Sequence, residues 1–209
     1  MRILGYGEDS LTYWALSRHM RQVIGPPPLN DDSPIARILF VYRPSLGRAG
    51  GRGSAQFGEF DAIVGTPRAV YLIESKWTGE RITNQKVVLA GTQLRRHEVF
   101  RWIRDRWLAQ RPANWSEFYS ANSNCADFEK KFDGKRLVRP GHRLASNLEY
   151  VLQELHRAGC SALTKDVLLF FYLRGSILPD GVAHAPEFAV VSFPFEPLNR
   201  EHGGRIIEM

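Results

Sequence analysis

Near the N-terminus, apolar residues at near-helical spacing predict a first helix. They fall between Asp9 and Ile24, behind an Asp9-Ser10 pair that can cap the first helical turn. The sequence Gly25-Pro26-Pro27-Pro28 follows and ends the predicted helix, because proline removes a backbone donor and clashes with the preceding turn. After a polar turn, the apolar run Ile38 to Tyr42 predicts a short strand.

A hairpin is predicted next. Phe57 to Val64 and Val70 to Trp77 are strand-like runs, and the turn-forming sequence Gly65-Thr66-Pro67-Arg68 between them has hairpin length. A four-residue loop pairs Val64 with Ala69 in antiparallel strands. Residues 43–54, which precede the hairpin, contain four glycines and three arginines and predict a basic loop.

Two helices and two strands are predicted in the second half of the chain. Residues 111–141 are predicted to form a loop-rich insertion, although their aromatic residues favour packed chain. The helices run from Asn84 to Gln110, with a weak point near Gly91, and from Leu144 to Ala158, and the strands run from Val167 to Leu173 and from Glu187 to Phe193.

Composition adds a domain count and a class of partner. A length of 209 residues with 44% hydrophobic content is enough for one full core, so residues 1–209 are predicted to form a single domain. The 28 Lys and Arg against 22 Asp and Glu give a formal net charge of +6, which favours an anionic partner such as nucleic acid. Charge alone does not decide this, because many basic proteins bind no specific partner.

The sequence also favours a cytoplasmic protein without a membrane span. The longest apolar run, Val167 to Leu173, is far shorter than the roughly 20 residues that cross a bilayer. The N-terminus lacks the basic-then-apolar pattern of a secretory signal. Only two cysteines occur, Cys125 and Cys160, and they do not form a disulfide framework.

Charged residues interrupt the predicted hairpin. Because side chains alternate along a strand, Glu74 and Lys76 share one face of the second strand. The predicted register places Asp61 opposite Leu72 on that face and Glu59 opposite Glu74, which makes Glu59 a further candidate metal ligand. An exposed cross-strand charge cluster is the alternative, and the apolar residues around these charges argue against it.

Buried carboxylates are costly, because like charges repel and each ion loses its hydration. A divalent cation offsets that cost. The oxygen atoms of Asp61 and Glu74 suit Mg2+ or Mn2+, and Mg2+ keeps several waters and accepts phosphate oxygens in its open positions. Such an ion activates water and neutralises charge that develops on a phosphodiester, and Lys76 is expected to orient the attacking water or stabilise the transition state.

These residues resemble a known family. Asp61, then twelve residues, then Glu74-Ser75-Lys76 is similar to the motif of the PD-(D/E)xK, or restriction-endonuclease-like, nuclease superfamily. Phe60 stands where the motif name has proline, a position that varies across the superfamily. The resemblance covers roughly Glu8 to Arg104. It implies an α/β fold with a restriction-endonuclease-like core, a central mixed β-sheet flanked by helices.

The resemblance also implies roles for individual residues. Asp61 and Glu74 would bind the metal, the Ser75 carbonyl would add a ligand, and Lys76 would be the catalytic lysine. A glutamate on the first helix joins the metal site in many members, and Glu8 stands at the matching position. A glutamine on the helix after the lysine supports the site in several branches, and Gln93 is favoured over Gln85 for that role.

Arginines are the candidate contacts to a phosphate backbone. Arg48 and Arg52 belong to the basic loop, and Arg96, Arg101 and Arg104 belong to the long helix. A solvated helix face explains the helical arginines equally well, since Glu98 and Asp105 can pair with them. His97 on the same helix is interpreted as structural, with assistance to proton transfer as the alternative.

The prediction from sequence is therefore an endonuclease that acts on DNA with Mg2+ or Mn2+. RNA stays open as a substrate, because nothing in the sequence separates ribose from deoxyribose. A catalytically idle nucleic-acid-binding module of the same fold also stays open. A homodimer is expected from the resemblance alone.

Overall fold

The structure is a computed structural model that describes residues 4–44, 59–77, 82–83, 85–123, 126–173, 175–196 and 206–208. The strands are β1 (Leu4–Tyr6), β2 (Leu39–Tyr42), β3 (Ala62–Gly65), β4 (Val70–Trp77), β5 (Ile82–Thr83), β6 (Lys86–Val87), β7 (Thr164–Tyr172), β8 (Gly181–Val182), β9 (Ala189–Pro194) and β10 (Ile206–Glu208). The α-helices are α1 (Gly7–Arg18), α2 (Met20–Ile24), α3 (Gly91–Gln110), α4 (Trp115–Asn122), α5 (Ala126–Lys131) and α6 (Arg143–Arg157), and Ile35–Arg37 forms a 3-10 helix.

A five-stranded mixed sheet forms the centre of the fold, in the order β2-β3-β4-β7-β9. β2, β3 and β4 are antiparallel neighbours. β7 runs parallel to β4, and β9 runs parallel to β7. Two smaller sheets, β1-β10 and β5-β6-β8, lie outside the central one. The prediction of an α/β fold with a central mixed sheet flanked by helices is confirmed at this level.

Side-chain alternation along the strands divides the core into two helical layers. On one face of the sheet, Tyr71 and Ile73 of β4 pack with the apolar residues of α1 and α2. On the other face, Val70 and Leu72 pack with α3 and α6. Most apolar side chains of the three central strands, β3, β4 and β7, are buried, so the middle of the sheet is covered on both sides, as in other parallel or mixed α/β sheets. Glu74 and Lys76 continue the α3-facing row of β4.

The register of the hairpin differs from the predicted one. Gly65 pairs with Val70 and Ala62 pairs with Ile73, so the predicted pairing of Val64 with Ala69 is wrong by two residues. The turn occupies residues 66–69, because the Thr66 backbone N–H donates to the Ala69 carbonyl at 2.8 Å. Since the side-chain period of a strand is two, the shift keeps every side chain on its predicted face.

Several predicted boundaries are also corrected. The first helix is interrupted at His19, between α1 and α2. The long helix begins at Gly91 instead of Asn84, because the buried Val87 joins the small sheet of β5, β6 and β8. The region 111–141, predicted to be loop-rich, contains α4 and α5. These two helices are anchored by Phe118 and Phe128, which are buried against α3 and α6.

No helix in the described ranges combines the length and the apolar content that crossing a membrane would need.

Candidate active site

One hydrogen bond joins the two parts of the predicted motif. The Ser75 backbone N–H donates to Oδ2 of Asp61 at 2.7 Å. Asp61 directly precedes β3, and the observed register, continued by one pair, places it opposite Glu74. Residues that are fourteen positions apart in the sequence thus meet at one end of the hairpin. Glu74 is fully buried, and Asp61 is partly buried beside it.

The proximity of the two carboxylates changes the ionisation of Asp61. Burial and the neighbouring charge of Glu74 raise the pKa of Asp61 from 3.8 to about 6, against the opposing effects of the Ser75 N–H, Lys76 and Arg96. A raised pKa means that the ionised form is destabilised relative to water. Ionisation of Asp61 beside Glu74 therefore costs free energy even with Lys76 and Arg96 nearby, and an additional cation between the two carboxylates would offset that cost.

Lys76 completes the group from the same strand. Its ammonium lies 3.2 Å from Oε1 of Glu8, which belongs to the first turn of α1. Burial alone would lower the pKa of Lys76, but Glu8 and Asp61 outweigh it and raise that pKa, so the ammonium stays charged. The structure therefore brings together Asp61, Glu74, Lys76 and Glu8, as the resemblance implies.

The N-terminal turn of α1 is fixed to β4 by a buried hydroxyl pair. Thr12 Oγ1 donates to Ser75 Oγ at 2.7 Å and also lies 2.9 Å from the Glu8 carbonyl. Ser75 points to the α1 face, whereas Glu74 and Lys76 point to the α3 face. Ser75 thus holds α1 with its side chain and Asp61 with its backbone N–H.

Three polar side chains from α3 surround the Glu74 carboxylate. Gln93 Nε2 donates to Oε2 at 2.8 Å, Arg96 forms an ion pair with Oε1, and His97 Nε2 lies 3.4 Å from Oε1. Their spacing of three and four residues places all three on one face of the helix. Gln93 has a second role, because its Oε1 accepts the Ala90 backbone N–H at 2.9 Å and caps the start of α3.

Behind Glu74 lies a network of charged side chains that is buried except at Arg101, whose side chain is 30% exposed. We define the buried charge network as Glu74, His97, Asp166 and Arg101. Nδ1 of His97 is 2.9 Å from Oδ1 of Asp166, and Arg101 is 2.9 Å from Oδ2 of the same carboxylate. Burial alone would lower the pKa of His97, but Asp166 and Glu74 outweigh it and raise that pKa. Asp166 was not among the site residues predicted from the sequence. A charged residue directly before the apolar run from Val167 to Leu173 was the available signal.

Glu59, the further candidate ligand, faces a different partner. Its carboxylate lies 2.8 Å from Arg43, which also pairs with Asp9 at the start of α1. Its backbone carbonyl accepts a hydrogen bond from Arg96. The corrected register moves Glu59 away from the position opposite Glu74. Glu59 therefore lies at the edge of the group, where Arg43 connects it to α1.

The candidate arginines have different environments. Arg96 and Arg101 lie at the site, on Glu74 and Asp166. Arg104 is 2% exposed and binds the carbonyls of Ser161 and Ala162, which leaves no accessible guanidinium there for a phosphate. Arg48 and Arg52 lie outside the described residues.

Asp61 and Glu74 are the two carboxylates that could hold a cation here. No set of three or more His, Cys, Asp or Glu side chains in the described part of the chain is arranged as a metal site. Two carboxylates suffice for Mg2+, which commonly binds through one or two of them and keeps waters in its other positions. The oxygen donors and the raised pKa of Asp61 therefore fit such an ion.

No protein-family model, curated protein or solved structure matches this chain.

Proposed function

We propose that this protein is a metal-dependent nuclease that hydrolyses phosphodiester bonds in DNA. The observation that carries the proposal is the 2.7 Å hydrogen bond from the Ser75 N–H to Asp61, which joins Asp61 to the Glu74-Ser75-Lys76 segment. Two buried or partly buried carboxylates and a charged lysine then share one end of a hairpin. This is the combination that phosphodiester hydrolysis with a divalent cation needs.

The order of elements supports a restriction-endonuclease-like core. The helix α1 precedes the antiparallel strands β2, β3 and β4, and α3 and the parallel strand β7 follow. This matches the order that the resemblance implies. α1 and α3 also supply the side chains that contact the motif, namely Glu8 from α1 and Gln93 from α3.

Asp61 and Glu74 would hold Mg2+ or Mn2+, with the Ser75 carbonyl and Glu8 as the additional ligands that the resemblance implies. When bound, the cation supplies a polarised water and neutralises negative charge on the phosphate. The protein contributes the position of its own groups. Gln93, Arg96 and His97 fix the Glu74 carboxylate, and the Ser75 N–H fixes Asp61.

Lys76 stabilises charge on the phosphate during hydrolysis. Its raised pKa keeps it protonated through the neutral range, so it acts as a hydrogen-bond donor and a positive charge. Glu8 holds the ammonium at the end of β4, where the substrate would meet the carboxylates. An ammonium group held in place in this way lowers the activation barrier without having to reorient during the reaction.

A second candidate is a nucleic-acid-binding module of the same fold without catalysis. One observation favours it. Both oxygens of Glu74 are engaged by protein donors, and Arg96 supplies a positive charge in direct contact with Oε1. The carboxylate is thus neutralised by the protein itself. In that case a cation would bind weakly, and Lys76 would be dispensable.

Cleavage assays distinguish the two candidates. Wild type, Lys76→Ala and the control Lys165→Ala are incubated with supercoiled plasmid, single-stranded DNA and a matched RNA, in Mg2+, Mn2+ or EDTA. Lys165 also lies on the central sheet, in β7, but it pairs with Tyr71, toward the opposite end of β4 from Lys76. The proposal predicts metal-dependent cutting of DNA by wild type and by the control, and its loss in Lys76→Ala. Binding without cutting by all three proteins would favour the idle module, and preferential cutting of RNA would identify a ribonuclease.

A further inference from the structure

The buried charge network is a chain of alternating basic and acidic side chains that ends at the candidate site. Arg101 contacts Asp166, Asp166 contacts His97, and His97 contacts Glu74. His97 is 0% exposed, Glu74 is 0% exposed and Asp166 is 1% exposed. Groups of this kind are rarely buried without partners, because each loses its hydration.

The strand register explains why the two carboxylates need a residue between them. β4 and β7 run in parallel, with Leu72 beside Asp166 and Glu74 beside Leu168. Asp166 and Glu74 therefore lie on neighbouring strands, one step apart on the same face of the sheet. Their charges would repel each other in this poorly solvated position. His97 reaches from α3 into the space between them and presents one ring nitrogen to each.

Two aromatic rings fix the plane of the His97 imidazole. The ring centroids of Phe60 and Phe188 each lie 4.9 Å from that of His97, with interplanar angles of 66° and 46°. Phe60 directly precedes Asp61, so the same short segment supplies a candidate ligand and one side of the histidine pocket. The ring has little freedom to turn away from Glu74.

We propose that His97, held by Asp166, is a positioning residue that fixes the orientation of the Glu74 carboxylate for cation binding. This inference rests on the proposed function and adds two residues to it. A histidine between a carboxylate and a metal ligand acts in the way that outer-shell partners act in other metal sites, where they set the orientation of the ligand. Gln93 and Arg96 also contact Glu74, but among the contacts of the described residues only His97 bridges Glu74 and Asp166.

Three variants test the role of His97. His97→Leu removes both ring nitrogens and keeps an apolar side chain between Phe60 and Phe188. His97→Gln retains an amide N–H that can reach Glu74. Asp166→Asn leaves His97 in place but removes the charge that orients it, and it is the mildest change if His97→Leu does not fold. Asp31→Asn is the matched control, because Asp31 is a buried carboxylate bonded to Thr66 and Tyr71 outside the network.

The measurements are the Mn2+ dissociation constant by calorimetry without substrate, kcat and KM for DNA, and unfolding by denaturant. The inference predicts Mn2+ binding about 10- to 100-fold weaker in His97→Leu and Asp166→Asn, partial recovery in His97→Gln, and lower kcat with unchanged KM. Asp31→Asn should change the unfolding free energy alone.

The outcomes separate this inference from the proposed function. If wild type binds Mn2+ and cuts DNA while His97→Leu and Asp166→Asn retain wild-type Mn2+ affinity, the positioning role is refuted and the nuclease stands. Equal loss in His97→Gln and His97→Leu would also refute it, because the donor would then be irrelevant. A wild type that binds no Mn2+ and cuts no DNA overturns both.

Discussion

Replacing Asp61 by asparagine should make the metal-free protein more stable. The asparagine keeps an oxygen that accepts the Ser75 N–H, but it carries no charge beside Glu74. The pKa of Asp61 is raised from 3.8 to about 6, so the folded state binds a proton more tightly than the unfolded state. Stability from this group is present below about pH 4 and is lost as the pH rises through about 6.

The size of the effect follows from the two pKa values. At pH 8 the ionised carboxylate costs about 3 kcal/mol relative to its neutral form, because each tenfold change in an ionisation constant is worth about 1.4 kcal/mol. At pH 5 Asp61 is still mostly protonated in the folded state, and the cost is about half as large. Asp61→Asn should therefore gain roughly twice as much unfolding free energy at pH 8 as at pH 5.

Urea unfolding of wild type and Asp61→Asn in EDTA at both pH values measures this difference. Asp31→Asn is the control of opposite sign. Burial alone would raise the pKa of Asp31, but hydrogen bonds from Ser33, Thr66 and Tyr71 lower it to about 2. Its ionised form is therefore stabilising, and the asparagine should lose stability at both pH values. A destabilised Asp61→Asn, or a gain that does not change with pH, would refute the argument that the carboxylate is held at a cost.

Three further predictions concern the hairpin, α1 and metal binding. Gly65→Ala should lower the free energy of unfolding, measured in denaturant, by about 1–3 kcal/mol, because a Cβ at Gly65 would lie 2.5 Å from Sγ of Cys160 and 2.8 Å from Leu155. A variant as stable as the wild type would contradict this packing. Thr12→Val should lower the free energy of unfolding by about 1 kcal/mol and also lower kcat, because the buried hydrogen bond to Ser75 aligns α1 with β4. An unchanged kcat would show that the position of α1 does not depend on this hydrogen bond. Millimolar Mg2+ should raise the melting temperature of wild type but not of Asp61→Asn, and equal shifts in both would place the ion elsewhere.

The sequence was sufficient to predict which face of β4 carries the site. Glu74 and Lys76 alternate with Ser75 and Trp77, and the observed strand keeps that alternation. The register was not predictable from the turn sequence. The structure extends β3 by one residue to Gly65, and the Thr66 hydroxyl then bonds to Asp31, 35 positions earlier in the chain. A contact between residues so distant in sequence cannot be predicted from the four-residue turn alone.

The buried charge network was also not predictable from the sequence. The position of His97 on a helix does not indicate which residues it contacts. Its contact with Asp166 spans 69 positions and depends on the parallel pairing of β4 with β7. By contrast, Gln93 was predicted from the resemblance, and its amide lies 2.8 Å from Glu74. The resemblance thus indicated one residue of α3, whereas Asp166 on the neighbouring strand β7 became known only from the fold.

The environment of Arg96 is the feature that most separates a nuclease from an idle module. Its guanidinium pairs with Glu74, yet its Nε is buried without a hydrogen-bond partner among the described residues. In a nuclease, the cation would share Glu74 with this arginine or displace it. In an idle module, the arginine would be the permanent counter-ion of Glu74.

The most direct test of a cation site at Asp61 and Glu74 is the anomalous scattering of crystals of the wild-type protein grown with Mn2+. We expect a single strong peak between Asp61 and Glu74, with an oxygen of each carboxylate about 2.1 Å from the ion. The peak should be absent from crystals of Asp61→Asn. The absence of a peak at these carboxylates in the wild type at saturating Mn2+, with Arg96 still paired to Glu74, would contradict a metal-dependent nuclease site here.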